Sequence, residues 1–153
     1  MRRILVTMFI IATIAVACDK NKFQTKPTLT LKAMNGDIIP AGASLILDFE
    51  FTDKEGDVSD SIFVFKTRIN KVKTATVRDN FALPVPEFPK NTKGEVQVTL
   101  DHSFYLVSAI QPPKDQATGK FHDDTLMLRF VLRDRAGNAS DTTSVGPIIV
   151  LRN

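Results

Sequence analysis

The sequence predicts an all-β fold, an antiparallel β-sandwich of about seven short strands. Apolar residues recur at every second position in several segments, as at Leu45, Leu47, Phe49 and Phe51, which is the period of a strand with one buried face. No window of about 12 residues carries a convincing amphipathic helix. Turn-forming residues separate the alternating segments. They lie at Asn35-Gly36-Asp37, Pro40-Ala41-Gly42, Glu55-Gly56-Asp57, Lys93-Gly94 and Ala136-Gly137-Asn138.

Six segments carry the strand pattern and predict where the core lies. In chain order they are 28–31, 45–51, 63–69, 96–100, 126–132 and 148–151. Large apolar residues on the repeating face of each segment are expected to fill the space between two sheets. The centre of this core is predicted to consist of Phe49, Phe63, Phe65, Leu128 and Phe130.

Two further segments lack a clear period. The stretch 81–89 contains Pro84, Pro86 and Pro89. Proline does not fit a central strand, so this stretch is predicted to be an extended crossover between the sheets. The stretch 103–110 is short and is predicted to be a strand or an irregular edge.

Residues 1–17 read as a signal peptide. Arg2 and Arg3 form a short positive region, and the 14 residues from Ile4 to Ala17 carry no charge. A membrane-spanning helix needs about 20 apolar residues. The shorter run with flanking arginines and a small-residue end is typical of a cleaved signal.

Cys18 is the predicted attachment site of a lipid. Ala15-Val16-Ala17 followed by Cys18 resembles a bacterial lipobox, with Ala15 where leucine is usual, and it also fits an ordinary A-x-A cleavage site. Cys18 is the only cysteine in the chain. A lone thiol in an oxidising compartment has no partner, and lipidation accounts for it. The predicted organisation is a signal peptide at 1–17, a lipidated cysteine and tether at 18–26, and one β-sandwich domain at 27–153.

The charge of the mature chain is nearly balanced. Arg2 and Arg3 leave with the signal peptide, and 18 Lys+Arg then face 17 Asp+Glu. No nucleic-acid partner is therefore expected.

Residues 51–57 and 134–140 form two turn motifs, and both resemble motifs of small immunoglobulin-like or cadherin-like lipoproteins of the Bacteroidota. Residues 51–57 are similar to the F-x-D-x-x-G-D turn of that group, and residues 134–140 to its D-x-A-G-N-x-S hairpin. The resemblance implies an immunoglobulin-like sandwich and an envelope location more than an activity. Lys54 and Glu55 replace a Gly and an Asp of the richer acidic form of the turn.

The acidic turn is the leading candidate for a metal site. Asp53, Glu55, Asp57 and Asp60 lie within eight residues of sequence, and carboxylates are ligands for Ca²⁺. In an immunoglobulin-like sandwich this turn and the 134–138 hairpin lie at the same end. Asp134 and Asn138 are therefore added to the candidate Ca²⁺ ligands. The alternative is two ordinary turns, in which Asp and Gly serve the backbone and Gly137 takes a positive φ.

Two other groups of residues are candidates for a site. The basic stretch Lys66, Arg68, Lys71, Lys73 and Arg78 is predicted to be a solvated strand face rather than a surface for anionic lipid or glycan. His102 and His122 are the only histidines. With nearby acids they define the alternative function, a metal-assisted hydrolase, although no catalytic motif accompanies them.

The expected function is that of a non-catalytic lipoprotein of the bacterial cell envelope. Its lipid at Cys18 would anchor it, most simply in the outer membrane, on a face that the sequence does not identify. The sandwich would serve in binding, adhesion or structure, with an envelope protein or a glycan as partner. Ca²⁺ is the one cofactor that the residues suggest.

Overall fold

The computed structural model describes residues 26–72, 75–90 and 92–152. The predicted signal peptide and Cys18 lie outside these ranges. No helix within them is long and apolar enough to cross a membrane. The strands are β1 (Thr28–Met34), β2 (Ile38–Ile39), β3 (Ser44–Thr52), β4 (Ser61–Arg68), β5 (Arg78–Pro84), β6 (Lys93–Asp101), β7 (Asp124–Arg133) and β8 (Thr143–Val150), with a π-helical turn at His102–Leu106.

The strands form two sheets, so the predicted all-β class is confirmed. One sheet has three strands in the order β1-β3-β6, and the other has five in the order β2-β8-β7-β4-β5. Neighbouring strands are antiparallel except for the short parallel pair β2–β8. The inner faces of both sheets contribute to one hydrophobic core, which gives a sandwich-like arrangement.

The predicted faces of β3 and β7 are confirmed. Both strands alternate strictly between buried and partly exposed residues over most of their length. Phe49 and Phe130 are fully buried, and their ring centroids lie 4.9 Å apart across the two sheets. Leu128 is fully buried as well. These residues form the centre of the core.

The predicted face of β4 is wrong. Ile62 and Val64 enter the core, whereas Phe63 and Phe65 lie on the outer face of the sheet, only half-buried. The guanidinium carbon of Arg133 lies 4.9 Å from the centroid of the Phe63 ring, and the guanidinium carbon of Arg129 lies 5.7 Å from the centroid of the Phe65 ring. Both faces of this segment are apolar in sequence, so a shift of one residue exchanges them without breaking the pattern.

The same shift corrects the interpretation of the basic stretch. Lys66 and Arg68 follow Val64 on the inner face and are both buried, with 4% of their surface exposed. They are therefore not part of a solvated face. Lys71 and Arg78 are exposed, as predicted, and Lys73 lies outside the described residues.

The two segments without a clear period also differ from the prediction. Residues 78–84 form the edge strand β5, paired with β4, and only the part after Pro84 is an extended connection. Pro84 fits because it ends an edge strand. For 103–110 the strand alternative is wrong: the backbone forms a π-helical turn at His102–Leu106 and is irregular from 107 to 110.

Candidate metal centre

Two turns meet at one end of the sandwich. The connection 53–60 joins β3 to β4, and the connection 134–142 joins β7 to β8. β4 pairs antiparallel with β7, and the first residue of β4, Ser61, lies opposite the last residue of β7, Arg133. The two connections therefore lie side by side at the same end of the paired strands β4 and β7.

Three carboxylates converge between these turns. One ligand oxygen from each of Asp53, Asp57 and Asp134 lies within 4.8 Å of the other two. Asp53 and Asp134 are buried, with 2% and 0% of their surface exposed, and Asp57 is half-buried. Within the described ranges this is the one group of three acidic, histidine or cysteine side chains close enough to share an ion.

Some oxygens of the cluster are satisfied by the turns themselves. The Asp57 backbone N–H donates to Asp53 Oδ2 at 3.0 Å. Asn138 donates to both oxygens of Asp134, from its backbone N–H at 2.7 Å and its Nδ2 at 2.9 Å. These bonds fix the direction of two of the three carboxylates.

Other oxygens of the cluster have no donor. Asp53 Oδ1 and Asp57 Oδ1 are both buried without a hydrogen-bond partner. A buried oxygen that lacks a partner costs stability, and a charged one costs more. These two oxygens are therefore the atoms of the cluster that most need a positively charged ligand.

The electrostatics of Asp57 agree with this geometry. Burial raises the pKa of its carboxyl above the ordinary value, and the pKa is raised further by the hydrogen bond that the protonated carboxyl would donate to Asp53 and by the negative charges of Asp134 and Asp53. Three carboxylates this close disfavour one another's ionised form. Either a proton or a cation relieves the repulsion.

The neighbouring Arg133 and Arg135 do not supply that positive charge. Arg133 pairs with Asp60, Nε to Oδ2 at 2.5 Å, and Arg135 pairs with Glu87, Nη2 to Oε1 at 2.7 Å. The Arg135 backbone N–H donates to the carbonyl of Asp57 at 3.0 Å. The arginines thus fasten the two turns to their surroundings and leave the cluster acidic.

The remaining candidate residues divide. Glu55 is exposed and does not belong to the convergent group. Asn138 lies at the cluster, but its amide nitrogen is directed at Asp134, so it acts as a support for that carboxylate. Gly137 has the predicted positive φ, +90°.

A second polar cluster, at the opposite end of the sandwich, was not foreseen. Asp124 is fully buried between two arginines, with its Oδ1 2.9 Å from Arg68 Nε and its Oδ2 2.6 Å from Arg152 Nη2. Arg68 also donates to the carbonyl of Ile110, and Arg152 to that of Ser108 at 3.0 Å. These charges hold the loop 107–123 against the end of the sheets.

The histidines lie apart from the acidic cluster. His102 is buried, and its Nε2 lies 2.7 Å from the carbonyl oxygen of Leu151. His122 borders an open groove of about 590 Å³ together with Asp123 and Asn70. Among the described residues neither histidine belongs to a group of potential metal ligands.

Comparisons with known proteins give no family. No protein-family model matches the chain, and no curated protein matches it. Similar solved structures include a β-glucosidase from Listeria innocua (12% identity, TM-score 0.38, covering 82% of this chain and 16% of that one) and the sporulation control protein Spo0M from Bacillus subtilis (9%, 0.43, 84% and 50%). A β-glucosidase from Erythrobacter marinus is similar at 13% identity and TM-score 0.34, with coverages of 82% and 16%. The chain thus spans half or less of these proteins.

Proposed function

We propose that this chain is a non-catalytic lipoprotein of the bacterial envelope whose sandwich binds one Ca²⁺ through Asp53, Asp57 and Asp134. The observation that carries the proposal is the convergence of three carboxylates, two of which have a buried oxygen without a hydrogen-bond donor. The anchor is the lipid predicted at Cys18. The site serves binding or structure, not chemistry.

The order of the strands supports an immunoglobulin-like sandwich. In that fold the connections after the second and sixth strands of the standard lettering, B–C and F–G, lie at one end and carry binding residues. β3–β4 and β7–β8 occupy the corresponding places, since β3 lies in one sheet and β4, β7 and β8 are neighbours in the other. The proposed site is then a loop site on a rigid scaffold.

The donor set favours a hard cation. The three side chains offer only oxygen, which suits Ca²⁺, Mg²⁺ or Mn²⁺ rather than metals that prefer nitrogen or sulfur. Ca²⁺ accepts six to eight ligands in flexible geometry, whereas Mg²⁺ requires a near-ideal octahedron. Carboxylates on two separate turns, one of them half-buried, therefore fit Ca²⁺ best, with water completing the shell.

The site also lies at the end of the sandwich where the described chain begins. The first strand starts at Thr28, opposite Thr52, and Lys26 Nζ pairs with Asp141 Oδ1 at 2.5 Å. The eight residues 18–25 span about 28 Å at most when extended. A lipid at Cys18 would thus keep the cation site close to the membrane, where an envelope protein or glycan could meet it.

Thermal unfolding in Ca²⁺ and in chelator tests the site. A ligand that binds only the native state stabilises it by about 2.7 kcal/mol at 100 times its Kd, so the wild-type midpoint should rise with Ca²⁺ concentration. Asp57→Asn should lose that response. It should also melt higher than wild type in chelator, because one of three mutually repelling carboxylates is gone.

Glu55→Gln is the matched control. It removes an acid from the same turn, but Glu55 is exposed and lies outside the cluster. Its response to Ca²⁺ should equal that of the wild type. A wild-type midpoint that is identical in Ca²⁺ and chelator would contradict the proposed site.

A further inference from the structure

The four edge strands of the described sheets differ in how well they resist pairing. β1 has a break in register between Leu31 and Ala33, β2 has only two residues, and β5 ends at Pro84, with Pro86 and Pro89 close behind. Bulges, shortness and proline are the usual means by which a protein protects a free edge. Three of the four edges are therefore protected.

β6 is neither short nor bulged nor interrupted by proline, and the one protection it carries is the charge of Lys93, Glu95 and Asp101 on its exposed face. It is nine residues long and contains no proline, and its pairing with β3 runs without a break from Asp101 to Lys93. In the part of the chain that the structure describes, the opposite edge of β6 is free, since β6 is the last strand of its sheet. A long, regular free edge is a template for another strand.

The exposed face of β6 is complementary to itself. Its outward residues are, in order, Lys93, Glu95, Gln97, Thr99 and Asp101. In an antiparallel pair of two β6 strands centred on Gln97, each Lys93 lies opposite the Asp101 of the second copy, and each Glu95 lies opposite a Thr99. This register pairs all nine residues and places no like charges opposite each other, and opposite charges across strands stabilise a sheet.

We propose that two copies of this chain associate through β6, edge to edge and antiparallel about Gln97, to form a continuous six-stranded sheet. The occupant of the free edge is thus a second copy.

The surface beside this edge is an open, mainly apolar groove. It has a volume of about 330 Å³ and runs between β5 and β6, where Ile62, Leu83, Phe88 and Val96 line it together with Pro84 and Pro86 and with the polar side chains of β6 from Glu95 to Thr99. Phe88 and Val96 pack on the core but remain partly exposed. A second copy on the free edge would cover this side of the sandwich, which adds apolar burial to the backbone hydrogen bonds of the new strand pair.

Disulfide trapping of the full-length chain in cells tests the register. Gln97→Cys places two cysteines directly opposite each other, about 5 Å apart, and should give a disulfide-linked dimer in high yield. Glu95→Cys should give little, because residue 95 of the two copies would be separated by about four residues along the strand, roughly 13 Å, beyond disulfide reach. The wild type reports any linkage through Cys18.

Charge exchange in the Gln97→Cys chain tests the proposed pairs. Lys93→Glu and Asp101→Lys should each lower the yield several-fold, and the double variant should restore it. Lys93→Glu also removes an ion pair with Glu50, at 2.9 Å. Lys32→Glu is the control for that loss, because Lys32 pairs with the same carboxylate at 3.7 Å but lies on β1, away from the proposed contact, and should leave the yield unchanged. Equal yields of disulfide-linked dimer from Gln97→Cys and Glu95→Cys would overturn the proposal. So would a dimer yield that neither Lys93→Glu nor Asp101→Lys changes.

Discussion

Buried carboxylates at the two ends of the sandwich differ in whether a cationic side chain pairs with them. At one end Asp124 is held between the guanidinium groups of Arg68 and Arg152, so its charge is compensated within the chain. At the other end Asp53 and Asp57, like Asp124, each keep a buried oxygen without a hydrogen-bond donor, but no cationic side chain of the described residues forms an ion pair with them. The compensated cluster is suited to hold a loop in place, and the uncompensated one is suited to receive a ligand.

Asp124 gives the clearest prediction for a single residue. Removing one partner from a buried ion pair leaves the other charge unpaired and typically costs 3–5 kcal/mol. Asp124→Asn should therefore lower the free energy of unfolding in urea by about 3–5 kcal/mol. Asp141→Asn, which breaks only the surface pair with Lys26, should cost about 1 kcal/mol or less. Equal losses in the two variants would show that the buried network contributes no more than a surface pair.

The site was only partly predictable from its residues. Asp53, Asp57 and Asp134 followed from turn motifs and from the rule that such turns share one end of the fold. The exclusion of Glu55 depends on the direction in which one turn residue points, which the motif does not specify. The Arg68–Asp124–Arg152 cluster could not be foreseen, because basic residues next to an alternating segment ordinarily lie on the solvent face.

Strands were predictable where only one of their faces is apolar. β3 carries Asp48 and Glu50 on its outer face, which leaves no doubt about which side is buried. In β4 the residues 62–65 are all apolar, so the alternation does not show which of the two faces is buried. The structure resolves the ambiguity by covering the outward Phe63 and Phe65 with arginine side chains.

The corrected phase of β4 makes a prediction for the element. Ile62→Ala should destabilise the domain by about 2–5 kcal/mol, as expected for a fully buried aliphatic residue. Phe63→Ala should cost less, although it removes more atoms, because its ring is already partly in solvent. Urea unfolding of both variants measures the difference. A larger loss of unfolding free energy for Phe63→Ala would mean that Phe63 and Phe65, as first predicted from the sequence, form the buried face of β4.

β7 supplies the reference for that comparison. Phe130→Ala should cost about 3–5 kcal/mol, since the ring is fully buried against Phe49, whereas Arg129→Ala, on the exposed face, should be mild. Equal melting temperatures for these two variants would mean that the faces of β7 are also reversed.

At the scale of the whole molecule, we propose that the lipid at Cys18 alone holds the chain at the membrane. Cys18→Ala should therefore release the protein from the membrane pellet into the soluble fraction, because stable anchoring requires more than one acyl chain and this variant has none. Fractionation of cells expressing wild type and variant measures this. A variant that still pellets as the uncleaved precursor would identify the signal peptide as the anchor, and a soluble wild type would contradict lipidation.

We propose that two turns far apart in sequence bind one cation between them. Titration calorimetry of the purified chain with Ca²⁺ at neutral pH measures this directly. The expected result is one ion per chain for wild type and for Glu55→Gln, and none for Asp53→Asn or for Asp134→Asn, which alter opposite turns. An absence of binding in the wild type, or binding that survives both of the latter substitutions, would contradict the claim.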